Sequence, residues 1–367
     1  MRNEESLLPL AFFVLYKRVT EKEKMKIENM SKEKSIMPKI EQKKKIASAS
    51  ILISFMITLV FIVGGIGMLM AVKPASASSD PIQHARVLIH FNLASGQQPE
   101  NMLLEPDGSA DVTFATVREV AQVTRDGKIH VLATLPAPAM SASAPVLGGT
   151  FMGGIVRTSD GTLYFNYSTG TSDLTGIWRL PPGAHALPER LVALPANGLA
   201  NGLALDEHTG MLYVADSVLG VIWRVSVHGG IPTVWANGPK LASAGFLGAN
   251  GIKIHNGAVW ITNTDAATVL RIPINHDGSA GVTAIKATGL NWIDDFAFIG
   301  NGDTLLAALN KSNQLALVTP DGKYTIVLTA TDGLSNPTSV VVRGKTIDVA
   351  NSAYFTAADP NLLLAQF

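Results

Sequence analysis

Short apolar runs of four to seven residues alternate with turn residues along most of this chain, and the runs come in groups that repeat. One group reads "GLAL", turn "DEHTG", "MLYVAD", then "VIWRVSV", turn "HGG", "IPTVWA". Runs of that length, rich in β-branched and aromatic residues and bounded by Gly, Asp and Asn, predict strands. The pattern returns in units that begin at Glu100, Gly153, Asn201, Asn250, Asp294 and Pro337, spaced 43 to 53 residues apart. That period matches a four-stranded propeller blade. Smaller details repeat too. The third runs "GIWRLP", "VIWRVS" and "VLRIPI" each hold one Arg among apolar residues, and the turns after the third runs read "TRDG", "VHGG", "NHDG" and "TPDG".

The last unit has room for only three strands before the chain stops, whereas "HARVLIHF", residues 84–91, precedes the first unit unassigned. This strand would complete the last blade and close the ring, which removes the exposed edges of an open sheet. The expected fold is therefore all-β, a six-bladed β-propeller over residues 84–367 closed by its N-terminal strand. A β-sandwich with coincidental repetition is the alternative.

Upstream, residues 1–50 read as a polar, disordered segment, and residues 51–72 are 22 residues without a charge, long enough to span a bilayer. Residues 73–83 read as a linker in which Ala75 and Ala77 form a pattern cut by signal peptidase, with cleavage after Ala77. Lys43, Lys44 and Lys45 would hold the start inside the cell, so the propeller is expected to be exported, either secreted or anchored through an uncleaved segment. Charge divides unevenly: residues 1–79 hold 13 Lys/Arg against 7 Asp/Glu, leaving 16 against 22 for the rest. A mildly acidic propeller argues against a nucleic-acid partner. The chain has no Cys, which excludes disulfides, thiolate chemistry and Cys-based zinc sites.

In a propeller the first strand of each blade lines the channel, and its start shares a face with the end of the second strand. The inner ring of starts is then Glu100, Gly153, Asn201, Asn250, Asp294 and Pro337. Two carboxylates and two amides with no basic member suit a hard cation such as Ca2+ or another divalent ion, which takes six to eight oxygen ligands. The metal ligands expected are Glu100, Asn201, Asn250 and Asp294. The simpler reading is that these pairs are turn residues entering each strand. An outer ring at the second-strand ends includes Asn166, Asp216, Asn263, Asp265, Asn310 and Asn351, residue types that commonly cap turns and tie blades. Asp295, beside Asp294, and Asp265, at the channel mouth, are the candidate bases. Trp292 is a candidate pocket wall. The histidines fall in turns and outer strands, and no Ser/His/Asp arrangement, P-loop or H-E-x-x-H motif is present.

The run "PENMLLEPDG", the two "ANG(L/I)" units and "IDDFAF" together resemble the six-bladed propellers of the senescence-marker-protein/gluconolactonase family, which includes regucalcin-like proteins; paraoxonases and strictosidine-synthase-like proteins have a related design. The resemblance implies a calcium or other divalent ion on the channel axis and hydrolysis of lactones or related esters. It places the family's ligand Glu on Glu100, its ligand Asn on Asn201, the next blade's ligand on Asn250, and the paraoxonase-like Asp on Asp294. The family's substrate-contacting polar residues of the second blade are replaced here by Gly153 and Gly154, which would open room in the substrate pocket or mark lost catalysis. Two functions follow as expectations: a metal-dependent hydrolase of a small lactone or ester, or a non-catalytic propeller that binds a small ligand or partner protein around a structural ion.

Overall fold

The computed structural model describes residues 82–139 and 141–367. The expectations for residues 1–81 lie outside the described residues, and no helix among those described is long and apolar enough to cross a membrane. Among the described residues, twenty-four strands form six four-stranded antiparallel sheets. Blade 1 is β2 (Pro99–Leu104), β3 (Ala110–Phe114), β4 (Glu119–Val123) and β5 (Ile129–Thr134); blade 2 is β6 (Phe151–Arg157), β7 (Leu163–Ser168), β8 (Gly176–Leu180) and β9 (Glu189–Ala193). Blade 3 is β10 (Ala200–Asp206), β11 (Met211–Asp216), β12 (Val221–Ser226) and β13 (Gly229–Asn237). Blade 4 runs through β14 (Ala249–His255), β15 (Ala258–Asn263), β16 (Thr268–Pro273) and β17 (Ala284–Thr288). Blade 5 is β18 (Ile293–Phe298), β19 (Leu305–Leu309), β20 (Gln314–Val318) and β21 (Tyr324–Leu328). Blade 6 takes β22 (Pro337–Arg343), β23 (Thr346–Asn351) and β24 (Asn361–Gln366) from the C-terminal end, and β1 (Gln83–His90) pairs antiparallel with β24 as its fourth strand. The ring closes as the sequence predicted.

The apolar core is divided among the blade interfaces. Six buried clusters each join two consecutive blades; Phe165 and Tyr167 of blade 2, for example, pack with Val120 and Ala133 of blade 1, and Leu362 of blade 6 packs with Val112 and Phe114 of blade 1. No blade can bury both faces alone, so closure of the ring is what completes the core.

Every inner strand breaks register with its neighbour at its first residues: between Pro99 and Asn101, Met152 and Ile155, Ala200 and Leu203, Ala249 and Ile252, Ile293 and Phe296, and Pro337 and Ser339. Each break inserts one extra residue, a β-bulge, which re-aims side chains that strict alternation would send to opposite faces. The register also corrects one position. Thr338, not Pro337, is the equivalent in blade 6 of Glu100, Gly153, Asn201, Asn250 and Asp294.

At the bulges the inner strands crowd. A Cβ on Gly153 would lie 2.4 Å from the Asn201 carbonyl oxygen, on Gly154 2.3 Å from the Leu203 nitrogen, and on Gly202 2.3 Å from the Asn250 carbonyl oxygen. The Gly153–Gly154 pair therefore opens no room for a substrate: the backbone of the next blade occupies the space. Side chains then tie each blade to the next. Thr113 Oγ1 donates to the Gly153 carbonyl (2.8 Å), Asn166 Nδ2 to Asn201 (2.9 Å), Ser217 Oγ to Ala249 (2.6 Å), Thr262 Oγ1 to Asp294 (2.5 Å), Asn310 Nδ2 to Pro337 (3.1 Å) and Thr338 Oγ1 to Pro99 (2.9 Å).

The repeated Arg also finds its reason. Arg179, Arg224 and Arg271 stand directly opposite Tyr164, Tyr213 and Trp260 on the adjacent strand, and the Arg271 guanidinium lies 5.8 Å from the Trp260 ring centroid. Blades 1 and 6 carry buried Asp111 and Asp348 at that same second-strand position, each with an Oδ1 that has no hydrogen-bond partner. Burial pushes Asp111 up to about 8, helped by the hydrogen bond and charge of Glu105; burial pushes Asp348 up to about 6 against the nearby charges of Arg343 and Arg125.

Two predictions follow. An acid with a raised folded-state pKa contributes stability fully present below its unfolded pKa of about 4 and lost as pH rises through the folded value. The melting temperature should therefore fall between pH 5 and 9, and Asp111→Asn should flatten that decline; an unchanged slope in a calorimetric pH series would refute it. Gly202→Ala should lower the unfolding free energy by about 2–3 kcal/mol in urea titration, because the clash is with backbone rather than a movable side chain.

Candidate functional site

The bulges bring the expected ligand residues to one end of the channel. Glu100, Asn201 and Asn250 are buried, and Asp294 is partly open. Burial raises Asp294 well above the ordinary carboxylate range, Glu100 and Asp295 raise it further, and hydrogen bonding from Asn250 opposes this. Burial pushes Glu100 up to about 8; a hydrogen bond from Tyr354 lowers it and the Asp295 charge raises it. The Tyr354 hydroxyl donates to Glu100 Oε2 at 2.5 Å. Asn250 Nδ2 donates to Thr264 Oγ1 at 2.9 Å, and Asn310 Nδ2 reaches Asp294 Oδ2 at 3.4 Å.

Carboxylate and amide oxygens are the donors that a hard cation takes. Carboxylates stand at this position in blades 1 and 5 and amides in blades 3 and 4; burial and then the Glu100 charge raise Asp294, while the Asn250 hydrogen bond and the Lys253 charge relieve it. The donor set is two acids and two amides; among the described residues no group of three or more His, Cys, Asp or Glu side chains is gathered to hold a metal.

A second polar layer lies one residue further along the same strands. Asp295 is 2 % exposed. Lys253 Nζ lies 2.7 Å from both of its carboxylate oxygens, and Asn101 Nδ2 (3.2 Å) and Ser339 Oγ (3.0 Å) donate to its Oδ2. Asn101, Asp295 and Ser339 are the second letters of the pairs in blades 1, 5 and 6, while the second letters in blades 2 to 4 are Gly154, Gly202 and Gly251. One carboxylate thus clasps the inner strands of four blades. The pair "DD" had pointed to Asp295; the sequence reading missed Asn101, Lys253 and Ser339, although Asn101 follows Glu100 in the pair "EN" and Lys253 is a cation within an inner strand. Nothing local marked Tyr354, which arrives on the loop after β23.

Asp265 behaves differently from an open base. Its Oδ2 accepts from the Ala244 and Phe246 amides at 2.7 and 2.9 Å, which pins the loop ahead of β14. The outer ring is likewise taken up in ties: Asp216 Oδ1 accepts from the Leu199, Val218 and Leu219 amides, and Asn263 Nδ2 donates to the Lys240 and Ala242 carbonyls. Trp292 stands at the channel mouth between Phe246 and Phe355, with ring centroids 5.9 and 5.4 Å away. Lys311 Nζ lies 4.3 Å over its ring.

The six four-stranded sheets define an all-β, six-bladed propeller. No protein-family model matches the chain, and no curated protein matches it. Solved structures do. Virginiamycin B lyase from Staphylococcus aureus superposes with a TM-score of 0.51 at 15% identity, covering 77% of this chain and 100% of that one. A glucose dehydrogenase gives 0.57 at 13% identity, covering 77% of this chain and 99% of that one. An auxiliary nutrient binding protein from Bacteroides ovatus gives 0.57 at 13% identity, covering 73% of this chain and 69% of that one. At such identities the likeness establishes the fold, which serves lyase, dehydrogenase and binding proteins alike.

Removing the clasp tests its role. Asp295→Ala leaves Lys253 without its counter-charge and should cost about 3–5 kcal/mol of stability. A melting temperature within a degree of the parent would mean that Asp295 is not structural.

Proposed function

We propose that this protein is an exported, divalent-cation-dependent hydrolase of a lactone or related ester, a function in keeping with its resemblance to the senescence-marker-protein/gluconolactonase family. The observation that carries the reading is the register of the inner-strand bulges, which sets the carboxylates of Glu100 and Asp294 at the same strand position as the amides of Asn201 and Asn250. A bound divalent ion would supply Lewis-acid polarisation of the substrate carbonyl and charge neutralisation. Glu100, Asn201, Asn250 and Asp294 would hold the ion, with Tyr354 fixing the Glu100 carboxylate. Asp295 is the nearest carboxylate to take a proton from water, and to do so it must release a hydrogen bond from Lys253, Asn101 or Ser339. Asp265 would have to release a loop amide. Residues 51–72, outside the described residues, support a place beyond the cytoplasmic membrane.

That engagement of both candidate bases favours a second reading: a binding propeller for a small ligand, with the ion structural. Metal analysis and thermal stability with and without chelator, paired with a pH-indicator screen of lactones, separate the two. One bound divalent ion per chain and turnover abolished by chelation support the hydrolase; an ion without turnover supports the binding protein. No ion overturns both and leaves the pairs as turn residues. Glu100→Gln should lower ion affinity by more than about 100-fold, since loss of outer-shell partners alone costs 10–100-fold. Its circular dichroism should match the parent's.

A further inference from the structure

We infer that the loop between β23 and β24, residues 352–360, is a latch that couples the axial ring to the seam where the propeller closes. Its effect on ion binding rests on the cation reading above; the latch itself does not. The seam is the pairing of β1 with β24, and it is noncovalent, since the chain has no Cys. That pairing is irregular, with register shifts between Gln83 and Arg86 and between Val87 and Ile89, and no residue of β1 is buried. The loop supplies a second fastening. It runs antiparallel to the arm of residues 83–100 and touches it at four places. Nearest the axis, the Tyr354 hydroxyl donates to Glu100 Oε2 at 2.5 Å and Gln98 Nε2 donates to the Ser352 carbonyl at 3.0 Å. Further out, the Phe91 amide donates to the Pro360 carbonyl at 2.7 Å and His90 Nδ1 meets the Asp359 carboxylate. One end of the strap therefore holds a ring carboxylate, and the other holds the last residue of β1.

Backbone geometry sets this loop apart from a passive connection. Ala353, Ala357 and Asp359 hold φ of +56, +49 and +58, left-handed values that residues other than glycine adopt at a cost. Such conformations persist where the surroundings over-determine them, and they gather at functional sites. Here Asn336 Oδ1 accepts from the Phe355 and Thr356 amides at 2.8 Å each, and Ser335 Oγ donates to the Ala358 carbonyl at 2.5 Å. A loop held this tightly passes a displacement at one end to the other instead of absorbing it. Blade 6 has no other reach to Glu100: Thr338 stands at its ring position, and that hydroxyl is spent on the Pro99 carbonyl. Coupling of this kind is reciprocal, so what holds Glu100 in place also holds β1 on β24, and what loosens the seam loosens Glu100.

The test is hydrogen exchange on the full chain, read strand by strand by mass spectrometry, with Ca2+ alone as the probe. Without any ion, Tyr354→Phe should speed exchange in β1 and β24 about 5-fold or more relative to β8 and β12 of blades 2 and 3, with circular dichroism unchanged. Asp359→Asn keeps a residue suited to the left-handed backbone and removes the carboxylate charge beside His90. It should loosen the seam from the outer end and weaken Ca2+ binding in calorimetry by a similar factor. Exchange that matches the parent in both variants, rises equally in all blades, or changes only within residues 352–360 overturns the latch, whatever Ca2+ does. Selective loosening of β1 and β24 without any Ca2+ binding sustains the latch and overturns the cation reading. Ca2+ that binds and protects every blade alike, with no selective effect of either variant, sustains the cation reading and overturns the latch.

Discussion

Six inner strands converging on one axis leave no room for six ordinary backbones, and the rest of the molecule follows from how this crowding is met. Each inner strand takes a bulge at its start, glycine occupies the positions where the next backbone approaches within 2.3 to 2.7 Å of a would-be Cβ, and a polar side chain from each blade caps a carbonyl of the next. Buried carbonyls need such partners, because an unpaired one costs as much as a lost hydrogen bond. The Thr338 bond to Pro99 is the sixth of these ties and the one that returns the ring to its beginning.

The same bulges explain the chemistry. Two successive residues of a regular strand point to opposite faces, yet Asp294 and Asp295 both belong to axial polar layers. They meet different fates. Asp295 is matched by Lys253 and two neutral donors, and it functions as a clasp. Asp294 and Glu100 have no such clasp: Asn310 reaches the first and Tyr354 donates to the second, and burial raises both above the ordinary carboxylate range. Distribution of charge, more than the identity of the residues, separates the structural layer from the candidate site.

Most of the fold was legible because blade architecture is written in local patterns. The apolar period, the turn residues and the 43- to 53-residue spacing of the units located the six blades, and a missing fourth strand at one end matched a spare strand at the other. The four ring residues were legible for a related reason: symmetry turns equal positions in successive repeats into neighbours around an axis. Pro337 was misplaced by one residue because a bulge shifts register, and no spacing within a single unit reveals which residue is extra.

Gly153 and Gly154 show the limit more sharply. In sequence a glycine pair reads as space; in the ring that space is filled by Asn201 and Leu203 of the next blade, some fifty residues away. Tyr354 reaches Glu100 across 254 positions, and Lys253 reaches Asp295 across 42. The sequence by itself determined the blades, the closure and the polar letters facing the axis, since each rests on periodicity over a few residues. Only the tertiary structure decided which carboxylate Lys253 neutralises and which donors of distant blades join it, because those outcomes depend on through-space distances that the ring creates between blades.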